Sequence, residues 1–136
     1  MFGTLDISTS ALVAQRIRMD TIAGNLANAY TTKQADGQRG PYQRRFAIFS
    51  EGDGKGGAGV HVAKVVKDAS PGRMVLDPDH PDAIRQGEWK GYVEYPNVEP
   101  ITEMTNAMLA SRAYEANVTV MDVSKRMIAS SLRLLA

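Results

Sequence analysis

The chain has 136 residues, enough for one domain or for a small domain with long helical extensions, and too few for a multidomain enzyme. Lysine and arginine number 16 against 15 acidic residues, a formal net charge of +1, so there is no electrostatic footprint for nucleic acid or an anionic membrane. Cysteine is absent, which excludes disulfides, thiol nucleophiles and thiolate metal sites.

The opening, MFGTLDISTS, has neither a basic nor an apolar signal region, so a cleaved secretory signal is not expected. No apolar run approaches the roughly 18 residues that a membrane span needs. From Leu5 onward a heptad stripe appears: Leu5, Leu12, Met19 and Leu26 recur at one position, with Ser8, Gln15, Ile22 and Ala29 three residues after each. This predicts a long helix, with Asp6 or Ser8 as candidate N-caps. Gly24 costs about 1 kcal/mol relative to alanine and marks a weak or closely packed last turn. Asn25 and Asn28, one turn apart, either wind the helix down by local hydrogen bonding or bond neighbouring helices.

All six prolines and ten of the twelve glycines fall between Asp36 and Pro100. Because these residues interrupt regular helix, the chain divides into an N-terminal helix over 1–35, a β-rich middle over 36–100 and a C-terminal helix over 101–136. In the middle, YQRRFAIF, VHVAKVV, GRMVL and GYVEY are rich in aromatic or β-branched residues and read as short strands. EGDGKGGAG between the first two is a flexible connector. Gly54, Gly56 and Gly59 satisfy G-x-G-x-x-G, but a strand pattern follows them where a dinucleotide site needs a helix, so a hairpin loop is expected. Asp77, Asp79, His80 and Asp82 could offer oxygen and nitrogen ligands to a divalent ion; two prolines among them favour a rigid polar turn. No cofactor or metal is expected, and His61 lies in a strand pattern with no nucleophile nearby in sequence. An enzyme is not expected.

Pro100 suits a first helical turn, and no glycine or proline follows it. One stripe of this second helix reads Asn106, Leu109, Ala113, Ala116, Val120, Val123, Met127, Ser130, Leu134, alternating steps of three and four as coiled-coil a and d positions do. A second stripe holds Tyr114, Val118, Met121, Ile128, Leu132 and Leu135. At about 1.5 Å per residue the helices reach about 35 and 50 Å, more than the compact middle can cover. Two apolar stripes on one helix need more partners than a single companion helix supplies. The expected seam joins Leu109, Ala116, Val120 and Val123 to Leu12, Met19 and Leu26 within one chain, leaving Tyr114, Val118 and Ile128 for adjacent subunits. Ile22, Asn25, Asn28, Arg112, Asn117 and Met127 complete the set of expected contact residues. Arg112 with Glu115 and Asp122 with Arg126 stand at helical ion-pair spacing, worth about 0.2 to 0.5 kcal/mol each if exposed. The fold class is therefore α+β: long terminal helices paired as a coiled-coil-like hairpin around a small β-rich segment.

The first flank, LVAQRIRMDTIAGNLANAYT, resembles the N-terminal signature of bacterial flagellar rod and hook proteins through Leu12, Arg18, Met19, Ile22, Ala23, Asn25, Leu26, Ala27, Asn28 and Thr31. The second, EMTNAMLASRAYEANVTVMDVSKRM, resembles their C-terminal signature through Glu103, Met104, Ser111, Arg112, Tyr114, Glu115, Ala116, Asn117 and Lys125. The short length, YPNV before the last helix and the DPDHPDA turn are most similar to the proximal members of the basal-body rod family. Gly24 and Tyr30 depart from the pattern, where a second asparagine or serine and a small polar residue are usual. The resemblance implies a structural subunit of the periplasmic rod, the drive shaft that transmits torque from motor to hook. It further implies export through the flagellar type III apparatus without signal cleavage, and an inner tubular layer of paired terminal helices. The implied neighbours are other copies, rod proteins of the FlgB, FlgF and FlgG types and a FliE-type adaptor at the base. The rival reading is a small module that binds a ligand or metal in the glycine loop or the DPDHPDA turn.

Overall fold

The computed structural model describes residues 2–34, 40–54 and 56–135. Helix α1 spans Phe2–Ala27, strands β1 and β2 span Arg45–Glu51 and Val60–Lys67, β3 and β4 span Arg73–Leu76 and Tyr92–Tyr95, and helix α2 spans Pro100–Leu135. The expected boundary between residues 35 and 36 lies outside the described residues. The strands form two separate antiparallel hairpins, β1 with β2 and β3 with β4, and the fold is α+β as the sequence predicts.

Helix α1 begins earlier than its capping signals suggest. Asp6 and Ser8 lie inside it, and the Ser8 hydroxyl donates to the Thr4 carbonyl at 3.0 Å instead of capping a free N–H. The helix ends through Asn28, whose side-chain amide donates to the Gly24 carbonyl at 2.9 Å and whose side-chain oxygen accepts from the Thr31 hydroxyl at 3.2 Å. Local winding-down is thus the part that Asn28 plays. Helix α2 runs 36 residues from Pro100 without a break.

The first hairpin pairs Phe46 with Val66 and Ile48 with Lys64, then slips so that Phe49 faces Val62. Its glycine connector closes on itself, Gly52 N–H to Gly59 carbonyl at 2.8 Å and Asp53 N–H to Gly57 carbonyl at 3.0 Å. At Gly59, with φ at +145°, any Cβ would strike the Ser10 hydroxyl of α1. That hydroxyl also accepts the Val60 N–H at 3.1 Å, so the hairpin is stitched directly to the helix. Helix α1 consequently lies against α2 and against the β1–β2 hairpin.

The heptad stripe of α1 faces inward as its period demands: Ser8, Ile22 and Ala29 are buried, and Leu5, Leu12, Gln15, Met19 and Leu26 are half-buried. The rotation of α2 is the reverse of the one expected. Its inner row runs through Glu103, Ala107, Ala110, Tyr114, Asn117, Met121, Ser124 and Ile128, all buried or half-buried, while Leu109 is 53% exposed, Val120 53%, Val123 51% and Met127 65%. Ala116 is exposed too. Tyr114 and Ile128, expected to reach other subunits, therefore belong to the intramolecular side, and the Leu109–Val120–Val123 stripe does not.

Two causes turn the helix this way. Ala110 on the inner row of α2 is 0% exposed and Ala14 on α1 is 2% exposed, both too small to hold a facing element far off. A buried hydrogen-bonded cluster at the base of the helix pair then fixes which side of α2 faces α1. The helices run antiparallel, with the end of α1 beside the start of α2. Since α1 has 26 residues and α2 has 36, α2 overhangs its partner by roughly 15 Å at about 1.5 Å per residue.

Candidate functional site

The basal cluster centres on Asn25, which is wholly buried. Its amide donates to the Arg45 carbonyl at 2.7 Å and to Glu103 Oε2 at 2.9 Å. Its side-chain oxygen accepts from the Arg45 N–H at 2.9 Å and from the Tyr42 hydroxyl at 3.0 Å. Two donors and two acceptor positions are all a carboxamide has, so Asn25 has no capacity left for a neighbouring molecule. One side chain thereby ties α1, α2 and the approach to β1 together.

Glu103 is also wholly buried, and a buried carboxylate is tolerated only with close compensation. Arg44 supplies it: Nε donates to Glu103 Oε1 at 2.7 Å, while its terminal nitrogen lies 3.7 Å from Asp68. The Arg44 backbone continues the cluster, its N–H donating to Asn97 Oδ1 at 2.7 Å and its carbonyl accepting from the Asp68 N–H at 2.7 Å. The Asn97 amide in turn holds the Asp68 and Ser70 carbonyls at 3.1 and 3.0 Å. Residues from α1, β1, the β2–β3 link and the start of α2 thus meet at one junction.

Two groups there titrate away from their ordinary values. Burial pushes the Tyr42 phenol up; Arg45 opposes that and Glu103 adds to it. Hydrogen bonds from the Ser70 hydroxyl and backbone, with Arg44 as a smaller influence, hold the Asp68 carboxyl below its usual 3.8.

Above the junction, the outward side of α2 carries Leu109, Ala116, Val120, Val123, Met127 and Leu134 at steps of three, four and seven. Arg112 is exposed near this stripe, Val118 is 38% exposed on another side, and Asn117 is occupied by its amide bond to the Ala113 carbonyl at 2.8 Å. Among the described residues, neither Arg112 with Glu115 nor Asp122 with Arg126 closes into an ion pair. In the sequence Asn25 stands out and the apolar stripe is visible, though as an expected intramolecular seam, and nothing there assigns the roles of Tyr42, Arg44, Asn97 and Glu103. The available signal was Glu103 itself, an acid in phase with Ala107 and Ala110 on a helix face.

The rival ligand sites resolve into local structure. Gly54, Gly56 and Gly59 belong to the hairpin connector. In the DPDHPDA turn, His80 Nδ1 accepts the Asp82 N–H at 3.1 Å and Asp82 accepts the Thr32 hydroxyl at 2.8 Å, which makes it a self-bonded turn. Among the described residues no three acidic, histidine or cysteine side chains gather as a metal site.

Comparison with known proteins agrees with this architecture at both ends. Residues 5–33 match the family model described as flagella basal body rod protein, and residues 90–134 match the C-terminal model of the flagellar basal body rod FlgEFG proteins. The flagellar basal-body rod protein FlgC of Borreliella burgdorferi is 42% identical over 150 aligned residues, covering 99% of this chain and 97% of the relative. FlgC proteins of Bacillus subtilis and Escherichia coli are each 40% identical, covering 98% of this chain and 97% of theirs. A likeness that extends over both helices and the middle between them places this chain in the FlgC family of flagellar basal-body rod proteins.

Proposed function

We propose that this structural subunit of the basal-body rod polymerises through the outward stripe of α2, as part of the proximal rod, and transmits torque along its helices without catalysing a reaction. The observation that carries the reading is that stripe: Leu109, Val120, Val123 and Met127 are each more than half exposed along one line of a helix. Fully burying such a side chain contributes about 1.5 to 3 kcal/mol, so four that are already half covered contribute roughly 3 to 6. Association costs roughly 4 to 15 kcal/mol, so one such contact is marginal and several made together are firm. That favours a polymer over a dimer. The contacts are heterologous, since a head-to-tail interface that does not close on itself generates a helical array. Aligned, close-packed helices resist compression and carry torque.

By family resemblance the neighbours are other copies and rod proteins of the FlgB, FlgF and FlgG types, with a FliE-type adaptor at the base. The same resemblance supports a periplasmic rod reached through the flagellar type III export apparatus, without a cleaved signal. The test is Val120→Asp. Because Val120 faces outward, the variant should keep the thermal melting of the parent chain to within about 0.5 kcal/mol, as surface substitutions do, while failing to enter basal bodies. A variant that unfolds would return Val120 to the intramolecular seam, and one that builds working rods would remove the stripe from the assembly interface.

A further inference from the structure

A groove between β1, α1 and α2 carries chemistry that the apolar stripe does not use. It is a cavity of about 280 Å³, lined among others by Ile22, Phe46 and Phe49 and by three arginines, Arg18, Arg44 and Arg45. Arg44 is neutralised by Glu103 and Asp68. Arg18 and Arg45 have no carboxylate partner among the described residues, although Arg45 lies 5.7 Å from the Tyr42 ring centre. Two unmatched guanidiniums beside exposed phenylalanines are the surface chemistry of an interface that takes an acidic, partly apolar segment.

This chain carries such a segment. Glu115, Val118 and Asp122 follow one another at steps of three and four, so they share one face of α2, away from the Leu109–Val120 stripe. All three are exposed, and neither acid is in an ion pair among the described residues. As a set they cannot fill their own groove. With Asn25 bonded to Glu103, antiparallel pairing sets Arg18 beside roughly residue 110, which leaves Asp122 about 18 Å further along the helix.

Resting on the assembly reading above, we propose that the Glu115–Val118–Asp122 face of one copy docks in the Arg18–Arg45 groove of a second copy. The two carboxylates meet the two guanidiniums, and Val118 covers Phe46 and Phe49. Charge complementarity selects the partner and its register, and the apolar centre excludes water.

The absence of cysteine gives a clean test. In a strain lacking its own copy, the full chain carrying Arg18→Cys with Asp122→Cys is expressed, and its basal bodies are mildly oxidised. A disulfide needs Cα atoms within about 7 Å, so the pair cannot close within one molecule, and contact between copies should give dimers and higher multiples on a non-reducing gel. Arg18→Cys with Val120→Cys, on the opposite side of α2 from Asp122, should give none. Incorporated subunits that yield no multiples, or the same multiples from both pairs, overturn the proposal while leaving the rod function intact. Subunits absent from basal bodies are resolved by charge reversal: Arg18→Glu or Asp122→Arg alone should cut incorporation about tenfold, and the two together should restore most of it. A double reversal no better than the singles overturns the proposal and assigns the groove to a different rod protein, whereas failure of Val120→Asp to affect rods bears on the assembly reading alone.

Discussion

Replacing Asn25 by aspartate changes one NH2 group to oxygen and leaves the volume of the junction untouched. The two bonds donated by the amide, 2.7 Å to the Arg45 carbonyl and 2.9 Å to Glu103 Oε2, are lost, and a second carboxylate is placed against the first. A bond to a charged acceptor is worth about 1.5 to 3 kcal/mol and a neutral one about 1. The repulsion that remains is limited by proton uptake, at about 1.4 kcal/mol per unit of pKa displacement. The expected loss at neutral pH is therefore about 4 kcal/mol, a large fraction of the roughly 5 to 15 that holds a domain together. Urea unfolding followed by circular dichroism should show the midpoint falling by about 2 M, for a slope of about 2 kcal/mol per molar. The pH dependence has a definite sign. A neighbouring negative charge raises the folded-state pKa of the new carboxyl, so the folded variant binds more protons than the unfolded chain, and the deficit shrinks as pH falls from 7 towards about 5. Asn28→Asp, at a half-buried local bond, should cost about 1 kcal/mol. A deficit below about 1 kcal/mol for Asn25→Asp, or one that does not shrink on acidification, would refute the view that the junction fixes the helices.

Three further outcomes follow from the geometry. Ala110→Leu forces added volume into the inner row of α2, where Ala110 is wholly buried, and should cost at least about 1 to 3 kcal/mol in thermal melting; a neutral result would mean the row is loosely packed there. Gly59→Ala puts a methyl group onto the Ser10 hydroxyl at a positive φ, so amide exchange at Val60 should accelerate about tenfold or more as the hairpin lifts from α1. For Asp68 the folded-state pKa is depressed below 3.8, so its contribution is present above that value and is lost as pH falls through the folded one. The stability gap between the parent chain and Asp68→Asn should accordingly be constant from pH 7 to about 5 and close below about 4.

Periodicity carried the reading where burial is one-sided. The stripe of α1 obeys that condition: Leu12, Met19 and Ile22 have one core to face, and they face it, whereas the four strands were legible from their aromatic and β-branched content. Helix α2 does not obey it, since a row of Leu109, Val120 and Val123 reads as more core-like than one in which Tyr114, Met121 and Ile128 alternate with Ala107, Ala110, Asn117 and Ser124. A rule that puts the greasier row inside fails when buried polar contacts set the rotation of a helix. Rotation was decided instead by contacts far apart in sequence, Asn25 to Glu103 and Glu103 to Arg44, which no local period encodes. Asn25 and Asn28 look alike in the chain and differ in the fold because one points along its own helix and the other across it.

The hydrogen bonds between the two helices are gathered at one end, and beyond them the pair is held by side-chain packing of residues such as Leu12, Met19, Tyr114, Met121 and Ile128. Mechanically this is a cantilever: the root is clamped, and stiffness declines towards a free tip where α2 projects alone. Such a beam can absorb a mismatch in pitch or curvature by splaying at its tip, while the clamped root keeps the β1–β2 hairpin at a constant angle to the helices.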